Sequence, residues 1–318
     1  MTADNLNFPP AYKVVCLAGG VGGAKLADGL AQLLPPEQLT VIVNTGDDFQ
    51  HLGLSICPDL DTVMYTLGGA ANPETGWGRA GESWRTIQEV ARLGGPDWFN
   101  LGDLDLATHV LRSDGLQQGE TLTAVTRRLC AQFGIATTVL PMSDQPAPTI
   151  IQTDDGPLPF QVWFVRERWQ PVARAVELPA DVRATSAVAR ALEEADLVIL
   201  APSNPFVSID PILNVYPIRE MISDLPRAVV AVSPIVGGTA VKGPAAKMMA
   251  EMDLPVTAAA VAAYYGDLID GFVYDAPGAG AIAELECALL ATNTLMGDAA
   301  DRARLAGEVL RFALELSA

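Results

Sequence analysis

Residues 18–25 read AGGVGGAK. The apolar run Val14–Leu17 precedes them and LADGLAQLL follows. That order is a strand, a glycine turn and a helix. Small residues in such a turn let backbone N–H groups approach an anion at the helix N-terminus, where the helix dipole adds positive potential. Lys25 can add a point charge. The stretch is read as a phosphate-binding turn built on Gly19, Gly20, Gly22 and Gly23. It fits neither familiar template. Counted as G-x-G-x-x-G from Gly20, it puts Lys25 where the third glycine belongs, the one that lets helix and strand pack closely. Counted as G-x-x-x-x-G-K-S/T from Gly19, it ends in Ala24-Lys25-Leu26 and lacks both the last glycine and the magnesium-binding hydroxyl.

Outward from the turn, Tyr12–Leu17 is expected as a strand, Gly23–Leu34 as a helix stopped by Pro35-Pro36, and Leu39–Asn44 as a second strand. Both strands are apolar without alternation, as strands covered on two faces are. The β-α-β order implies a parallel sheet with right-handed crossovers. Ser83–Leu93, Asp105–Arg112 and Leu122–Phe133 have helical periodicity, and Thr137–Pro141 reads as another buried strand. Ile150–Thr153 and Phe160–Val165 flank DDGPLP and read as an antiparallel hairpin. The parallel pattern resumes with Leu197–Ala201, Ala228–Ser233 and Val256–Ala262, and Phe272–Tyr274 is expected to end the sheet. Asp298 is placed to cap a terminal amphipathic helix that runs to Leu316. The fold expected is α/β: one Rossmann-like nucleotide-binding domain over 1–318, with a helical insertion at about 62–135 and a hairpin element at about 148–168.

The chain has 318 residues and a formal net charge of −18. Nucleic acid and anionic membrane surfaces are poor partners for such a chain, because both need Lys and Arg to neutralise phosphate. Only four lysines occur, and three of them (Lys25, Lys242 and Lys247) lie in or beside glycine-rich turns. Cysteines 16, 57, 130 and 287 make no CxxC pair, so neither a zinc site nor a disulfide framework is indicated. No apolar stretch reaches the roughly 20 residues that span a bilayer. MTADNLNFPP has neither the basic region nor the apolar core of a signal peptide. A cytoplasmic protein is expected.

NTGDDFQHLGLSICPDLDTVMYTL occupies 44–67 and begins at a strand's carboxyl end, where open α/β sheets bind ligands. It holds Asp47, Asp48, Asp59 and Asp61, with Asn44 and His51 nearby. Asp59 or Asp61 can cap the helix that follows. Carboxylates beside a phosphate repel it unless a cation mediates, and Mg²⁺ takes one or two carboxylates plus phosphate oxygens and water. Asp48 and Asp61 are the expected metal ligands. In LGDLDLATH, Asp103 reads as a helix cap, and His109 and Arg112 share a helix face. Two late loops follow strands. Ser203 and Asn204 in APSNP can face a base edge or ribose. Gly237 and Lys242 in SPIVGGTAVKGPAAK form a second anion-binding candidate at a helix start.

These blocks together resemble the 2-phospho-L-lactate transferases of deazaflavin coenzyme F-420 biosynthesis. The matching stretches are GGVGGAKLADGL, VIVNTGDD, PDLDTVMYTL, NPETGWG, LGDLDLATH, LPMSD, PSNPFVSIDPIL, SPIVGGTAVKGPAAK and YYGDLID, from residue 19 to about 270. The resemblance implies a reaction. A guanosine diphosphate-linked C3 acid donates its phosphoryl-acid group to the ribityl hydroxyl of 7,8-didemethyl-8-hydroxy-5-deazariboflavin, and GMP leaves. The acid is phospholactyl, phosphoenolpyruvyl or phosphoglyceryl, and a homodimer is the implied assembly. Such transfer needs alignment and charge neutralisation more than covalent help. Mg²⁺ on Asp48 and Asp61, with Lys25 and backbone amides, would supply the latter. Asp59 or Asp61 is the candidate base for the attacking hydroxyl. The resemblance puts the deazaflavin near the PDLDT aspartates, the segment before LGD (Asn100) and PMSD (Met142, Ser143, Asp144). Met142 and Trp98 would give a flat ring apolar cover.

One departure stands out. Many members carry a basic residue just before LGD, where this chain has Asn100, and often another after it, where this chain has Leu104. Arg79, Arg85 and Arg112 are the candidate substitutes. Two other classes compete. A non-catalytic nucleotide-sugar-binding regulator would share the glycine loop and the DD pair, but PDLDT and LATH favour the transferase. A nicotinamide oxidoreductase would need the third glycine and an acidic end to the second strand, which here ends in Asn44-Thr45.

Overall fold

The computed structural model describes residues 9, 11–237, 239–240, 243–277, 279–280 and 282–316. In chain order the first elements are β1 (Val14–Ala18), α1 (Gly20–Leu33), β2 (Leu39–Val43), a hairpin of β3 (Phe49–His51) and β4 (Leu54–Ile56), and α2 (Pro58–Leu67). Then come α3 (Arg85–Arg92), α4 (Asp103–Gln117), α5 (Leu122–Gln132) and β5 (Thr138–Pro141). A small sheet follows, with β6 (Ile150–Thr153), β7 (Gly156–Pro159) and β8 (Ala173–Glu177). The chain returns to the core through α6 (Ser186–Glu193), β9 (Leu197–Leu200), α7 (Asp210–Asn214), α8 (Ile218–Asp224) and β10 (Ala228–Val232). It ends with β11 (Ile235–Val236), β12 (Thr239–Ala240), α9 (Ala245–Glu251), α10 (Ala258–Tyr265), β13 (Gly271–Tyr274), β14 (Ala288–Ala291) and α11 (Ala299–Leu316).

Seven strands form the main sheet in the order β14-β13-β10-β9-β1-β2-β5, and every pairing is parallel. The chain steps outward from β1 to β2 and β5, then crosses back to β9 on the other side of β1. The strand order therefore reverses between β1 and β9, and a crevice opens there at the carboxyl ends. The unalternating apolar strands are explained by cover on both faces. Val14, Cys16 and Ala18 of β1 pack toward α1, α2 and α11 with Leu26, Leu60 and Leu305. Val15 and Leu17 pack toward the other layer with Val188, Ile209 and Val261. Each such buried aliphatic side chain contributes roughly 1.5–3 kcal/mol.

The parallel α/β class and the helices between β2 and β5 are as expected, and Asp298 does cap the last helix, its Oδ1 accepting from Asp301 N at 2.9 Å. Other expectations are corrected. Helix α1 starts at Gly20 rather than Gly23, so the glycine turn is itself the first helical turn. Val256–Ala262 is not a strand: Thr257 Oγ1 accepts from Ala260 N at 3.1 Å and starts α10, and its alanines are strong helix formers. The sheet does not end at β13, because β14 pairs beyond it. In the hairpin, GPLP is the second strand and Phe160–Val165 is not extended. The prolines are tolerated because β7 lies at the edge of the β7-β6-β8 sheet.

Candidate functional site

The glycines of 19–23 answer first to packing. A Cβ on Gly22 would stand 2.3 Å from Pro202 O, and one on Gly23 would stand 2.6 Å from Ser203 Oγ. Gly20 has φ +59, which favours glycine. Ser203 is buried and turned onto the turn, accepting from Gly19 N at 3.2 Å and donating to Gly19 O at 2.8 Å. This clamp sits at the strand-order reversal and draws α1 against the loop after β9. The first N–H groups of a helix have no intrahelical partner, and here Asp59 Oδ1 takes that of Gly20 at 2.7 Å. Lys25 donates to Met296 O at 2.6 Å, ahead of α11.

Helix α2 brings its first-turn carboxylates to opposite sides. Pro58 sits at its N1 position, which proline suits. Neither Asp59 nor Asp61 caps the helix, contrary to expectation. Both turn to tertiary partners instead. Asp59 faces α1 and the end of β2. Asn44 Nδ2 donates to Asp59 Oδ2 at 2.9 Å and to Val207 O at 3.2 Å, while Asn44 Oδ1 accepts from Gly46 N at 2.7 Å. Burial pushes Asp59 up to about 6, although the bonds from Asn44 and Gly20 favour its charged form. Asp47 accepts from Gln161 Nε2 at 2.9 Å. Burial, then the charges of Asp59 and Asp48, push its carboxyl well above the usual range.

Asp61 faces α4. Arg112 Nη1 donates to Asp61 Oδ2 at 3.0 Å, and Arg112 Nη2 donates to Asp61 Oδ1, a two-point contact between buried groups. His109 stands with Nδ1 3.6 Å from Asp61 Oδ2 and Nε2 3.3 Å from Asp105 Oδ1. Tyr65 donates to Asp105 Oδ1 at 2.6 Å. Burial alone would raise Asp105, but His109 and Tyr65 outweigh it and hold its carboxyl below the usual range. Tyr65, Asp105, His109, Arg112 and Asp61 thus form one continuous network between α2 and α4.

Asp48 lies between the two sides. Its Oδ1 is buried and has no hydrogen-bond partner among the described residues. Burial drives its carboxyl well above the usual range. The Cys57 thiol and Arg112 oppose this, and the charges of Asp61 and Asp59 add to it. Asp48 thus stands within electrostatic reach of both Asp59 and Asp61, with the buried Arg112 beside it, although no three of Asp47, Asp48, Asp59 and Asp61 bring ligand atoms within 4.8 Å of one another. This donor set fits a hard divalent cation. Mg²⁺ prefers carboxylate oxygen, Asp48 holds an oxygen without a partner, and a cation relieves the mutual repulsion. Ligand atoms of Asp61, Asp105 and His109 also lie within 4.8 Å of one another, but the imidazole suits magnesium poorly.

The remaining candidates are placed differently. Met142 is fully buried in the core and offers no surface to a ring. Ser143 is fully buried too, donating to Arg183 O at 2.7 Å. Asp144 is exposed and accepts from Thr123 N at 2.7 Å, at the start of α5. Asn204 turns inward, its Oδ1 accepting from Phe206 N at 3.0 Å. Asn100 and Gly237 are exposed, and Gly237 has φ +58. Lys242 lies outside the described residues. Of the three arginines considered for the missing cations, Arg112 is engaged by Asp61. Arg79 donates to Leu104 O at 3.1 Å and lies over the Tyr65 and Phe133 rings. Arg85 is exposed. Asp103 does not cap its own helix; it accepts from Ser83 Oγ and, at 3.1 Å, from Thr86 N near the start of α3. Glu82 reaches the first turn of α4, accepting from Leu104 N and Asp105 N at 2.7 Å each. Trp98 joins Phe49, His51 and Phe99 in one aromatic group with centroids 4.9–6.1 Å apart. His51 Nε2 is buried and unpartnered within it among the described residues, and burial, then His109, lowers its pKa.

Sequence reasoning passed over Tyr65 and Gln161, and it noted Asn44 and Asp105 only as neighbours of the candidate residues. The spacing of Asp61 to Tyr65 and of Asp105 to His109, each four residues on a helix, was the available signal. Nothing in the sequence joins Gln161 to Asp47.

Comparison with known proteins adds an independent line. One relative is a protein of Streptomyces griseus named phosphoenolpyruvate transferase, 44% identical over 317 residues, with 96% of this chain and all of that one covered. Another is a 2-phospho-L-lactate transferase of Methanospirillum hungatei, 41% identical over 264 residues, covering 82% of this chain and 88% of that one. Among solved structures, a UPF0052-family protein of Bacillus halodurans matches with a TM-score of 0.62 at 15% identity, covering 94% of this chain and 98% of that one, which is a likeness of fold. Residues 14–286 match the family described as 2-phospho-L-lactate transferase CofD. With that match over most of its length, and with relatives above 40% identical, the chain belongs to the 2-phospho-L-lactate transferase family.

Proposed function

We propose that this transferase moves a phosphoenolpyruvyl group from a guanosine diphosphate-linked donor to the ribityl hydroxyl of 7,8-didemethyl-8-hydroxy-5-deazariboflavin, releasing GMP, in coenzyme F-420 biosynthesis. The observation that carries the reading is the buried Asp48 carboxylate, one oxygen of which has no partner among the described residues, with Asp59 and Asp61 in electrostatic reach. The choice among the three C3 acids rests on the relatives named phosphoenolpyruvate transferase, which align over 96% of the chain against 82% for the phospholactate enzyme.

Asp48 and Asp61 would hold Mg²⁺, which when bound neutralises charge on the transferring phosphoryl oxygens. Arg112 fixes the orientation of Asp61 through its two-point contact. Asn44 and the Gly20 N–H hold Asp59 at the mouth of the glycine turn. With a carboxyl pushed up to about 6, Asp59 is the better matched of the two candidates to take the proton of the attacking hydroxyl. The N–H groups of the turn beyond Gly20 receive the diphosphate. The aromatic group of Phe49, His51, Trp98 and Phe99 takes the place that Met142 was expected to fill as cover for the acceptor ring. A homodimer and a cytoplasmic location belong to the same reading, on the resemblance alone; among the described residues, no helix is long and apolar enough to cross a membrane.

The test is to offer the three guanosine diphosphate-linked acids with the deazaflavin and read products by mass spectrometry, with and without Mg²⁺. The expected result is the phosphoenolpyruvyl adduct plus GMP, lost on chelation. Turnover of the phospholactyl donor alone overturns the choice of acid. No product with any donor, together with tight binding of UDP-sugars, overturns catalysis in favour of a regulator.

A further inference from the structure

Helix α4 carries Asp105, His109 and Arg112 on one face, and α2 answers with Asp61 and Tyr65, four residues apart. His109, Arg112 and Tyr65 are each 1% exposed and Asp61 is 5% exposed. Water does not orient groups so deeply buried, so they orient one another. Arg112 holds Asp61 at two points, and Arg112 is held in turn. Its Nη1 lies 3.2 Å from His109 Nδ1 and 3.4 Å from Ser55 O.

The contact with Arg112 decides the form of the imidazole. A guanidinium has donors and no acceptor, so His109 Nδ1 is the acceptor and carries no hydrogen. The ring hydrogen then sits on Nε2, which faces Asp105 Oδ1 at 3.3 Å. This approach is not an aligned hydrogen bond. It is the attraction of an N–H dipole to a carboxylate, on an oxygen that also accepts from Tyr65 at 2.6 Å. With Nδ1 taken and a hydrogen on Nε2, His109 has no lone pair for a cation. The cluster of Asp61, Asp105 and His109 is therefore a support and not a second metal centre.

We propose that Asp105 and His109 are positioning residues for the divalent cation: Asp105 orients the His109 ring, the bare Nδ1 of that ring orients the Arg112 fork, and the fork fixes which lone pairs of Asp61 remain for the metal. The inference rests on the functional reading above, in which Asp61 holds Mg²⁺, and adds to it two side chains that touch neither metal nor substrate. A carboxylate offers about four acceptor sites, and Arg112 takes two of those on Asp61. The direction of the others follows from how the fork is held. A staple that only joined α2 to α4 would change stability and leave metal affinity alone.

Two measurements test this without turnover. The first needs no variant of the network: two-bond ¹H–¹⁵N correlations of the wild-type chain report which imidazole nitrogen bears the hydrogen. The chain has two histidines, and a His51→Phe variant assigns the signals. A hydrogen on Nε2 of His109 is expected, and one on Nδ1 overturns the inference. The second is equilibrium titration with Mn²⁺, which takes carboxylate oxygen as Mg²⁺ does, followed by the electron spin resonance of the free ion. His109→Leu and Asp105→Ala are each expected to weaken Mn²⁺ binding about 10–100-fold, the range for partners that stand behind a metal ligand. His109→Asn places an amide oxygen near the position of Nδ1, where it can accept from Arg112, and is expected to recover most of that loss, a recovery that an unfolded chain cannot show. Unchanged affinity in His109→Leu or in Asp105→Ala overturns the inference, and so does a His109→Asn variant as weak as His109→Leu. A wild-type chain that binds no Mn²⁺ overturns the metal role of Asp61 in the functional reading itself, an outcome distinct from binding that ignores Asp105 and His109.

Discussion

The two sides of helix α2 treat the same residue type in opposite ways. Asp59 and Asp61 are two positions apart in one helical turn, and both are buried. On the α1 side Asp59 meets neutral donors, the Gly20 N–H and the Asn44 amide. It remains a group that can hold or release a proton near neutrality. On the α4 side Asp61 meets Arg112 at two points inside a five-residue network. Neutral donors soften the cost of burying a charge, whereas a paired guanidinium replaces the water altogether. One turn of helix thereby carries one carboxylate among neutral donors and one paired with a guanidinium.

The largest effect that would test this contrast is Asp61→Ala. It leaves Arg112 buried without its partner and is expected to cost about 3–5 kcal/mol, read as a fall in the urea midpoint, with turnover abolished. The Asp61→Ala, Arg112→Met double variant sharpens the point. It should regain most of that stability, because both charges leave the interior together, and should stay inactive. A double variant as unstable as the single one would mean that Asp61 is held by something other than Arg112.

Asp59→Ala should be milder for folding, at about 1.5–3 kcal/mol, the range for hydrogen bonds to a charged group. If its cost matched that of Asp61→Ala, the two sides would not differ as described. Gly22→Ala tests the clamp behind Asp59. Its Cβ would meet backbone Pro202 O, which cannot swing aside, so a loss toward the upper end of about 1–3 kcal/mol is expected by thermal melting. Gly237→Ala should cost least, at about 1 kcal/mol, because only its φ of +58 resists a side chain and no atom crowds the position.

Much of the fold was legible because strands covered on both faces must be apolar throughout, as VVCLA and LVIL are. The places that misled were those where local signals conflict. Val256–Ala262 carries an apolar run that suits either element, and its alanines and the Thr257 cap decided for helix. GPLP resembled a turn, yet an edge position lets prolines stand in a strand. The acidic stretch 44–61 was visible as a site from its position after β2, and the glycines 19–23 as a turn that admits no side chains. Their immediate reason was not legible, since Pro202 and Ser203 press on that turn from about 180 residues away.

By itself the sequence determined the parallel α/β class, the family and the acidic stretch at a strand's carboxyl end, because hydrophobic period, glycine content and motif spacing are local and additive. Only the tertiary structure decided which aspartate is free. The partners of a buried carboxylate must lie within about 3 Å, and they reach Asp59 from Asn44 and Gly20 and Asp61 from Arg112, residues brought together by the packing of α1, α2 and α4 and by no pattern along the chain.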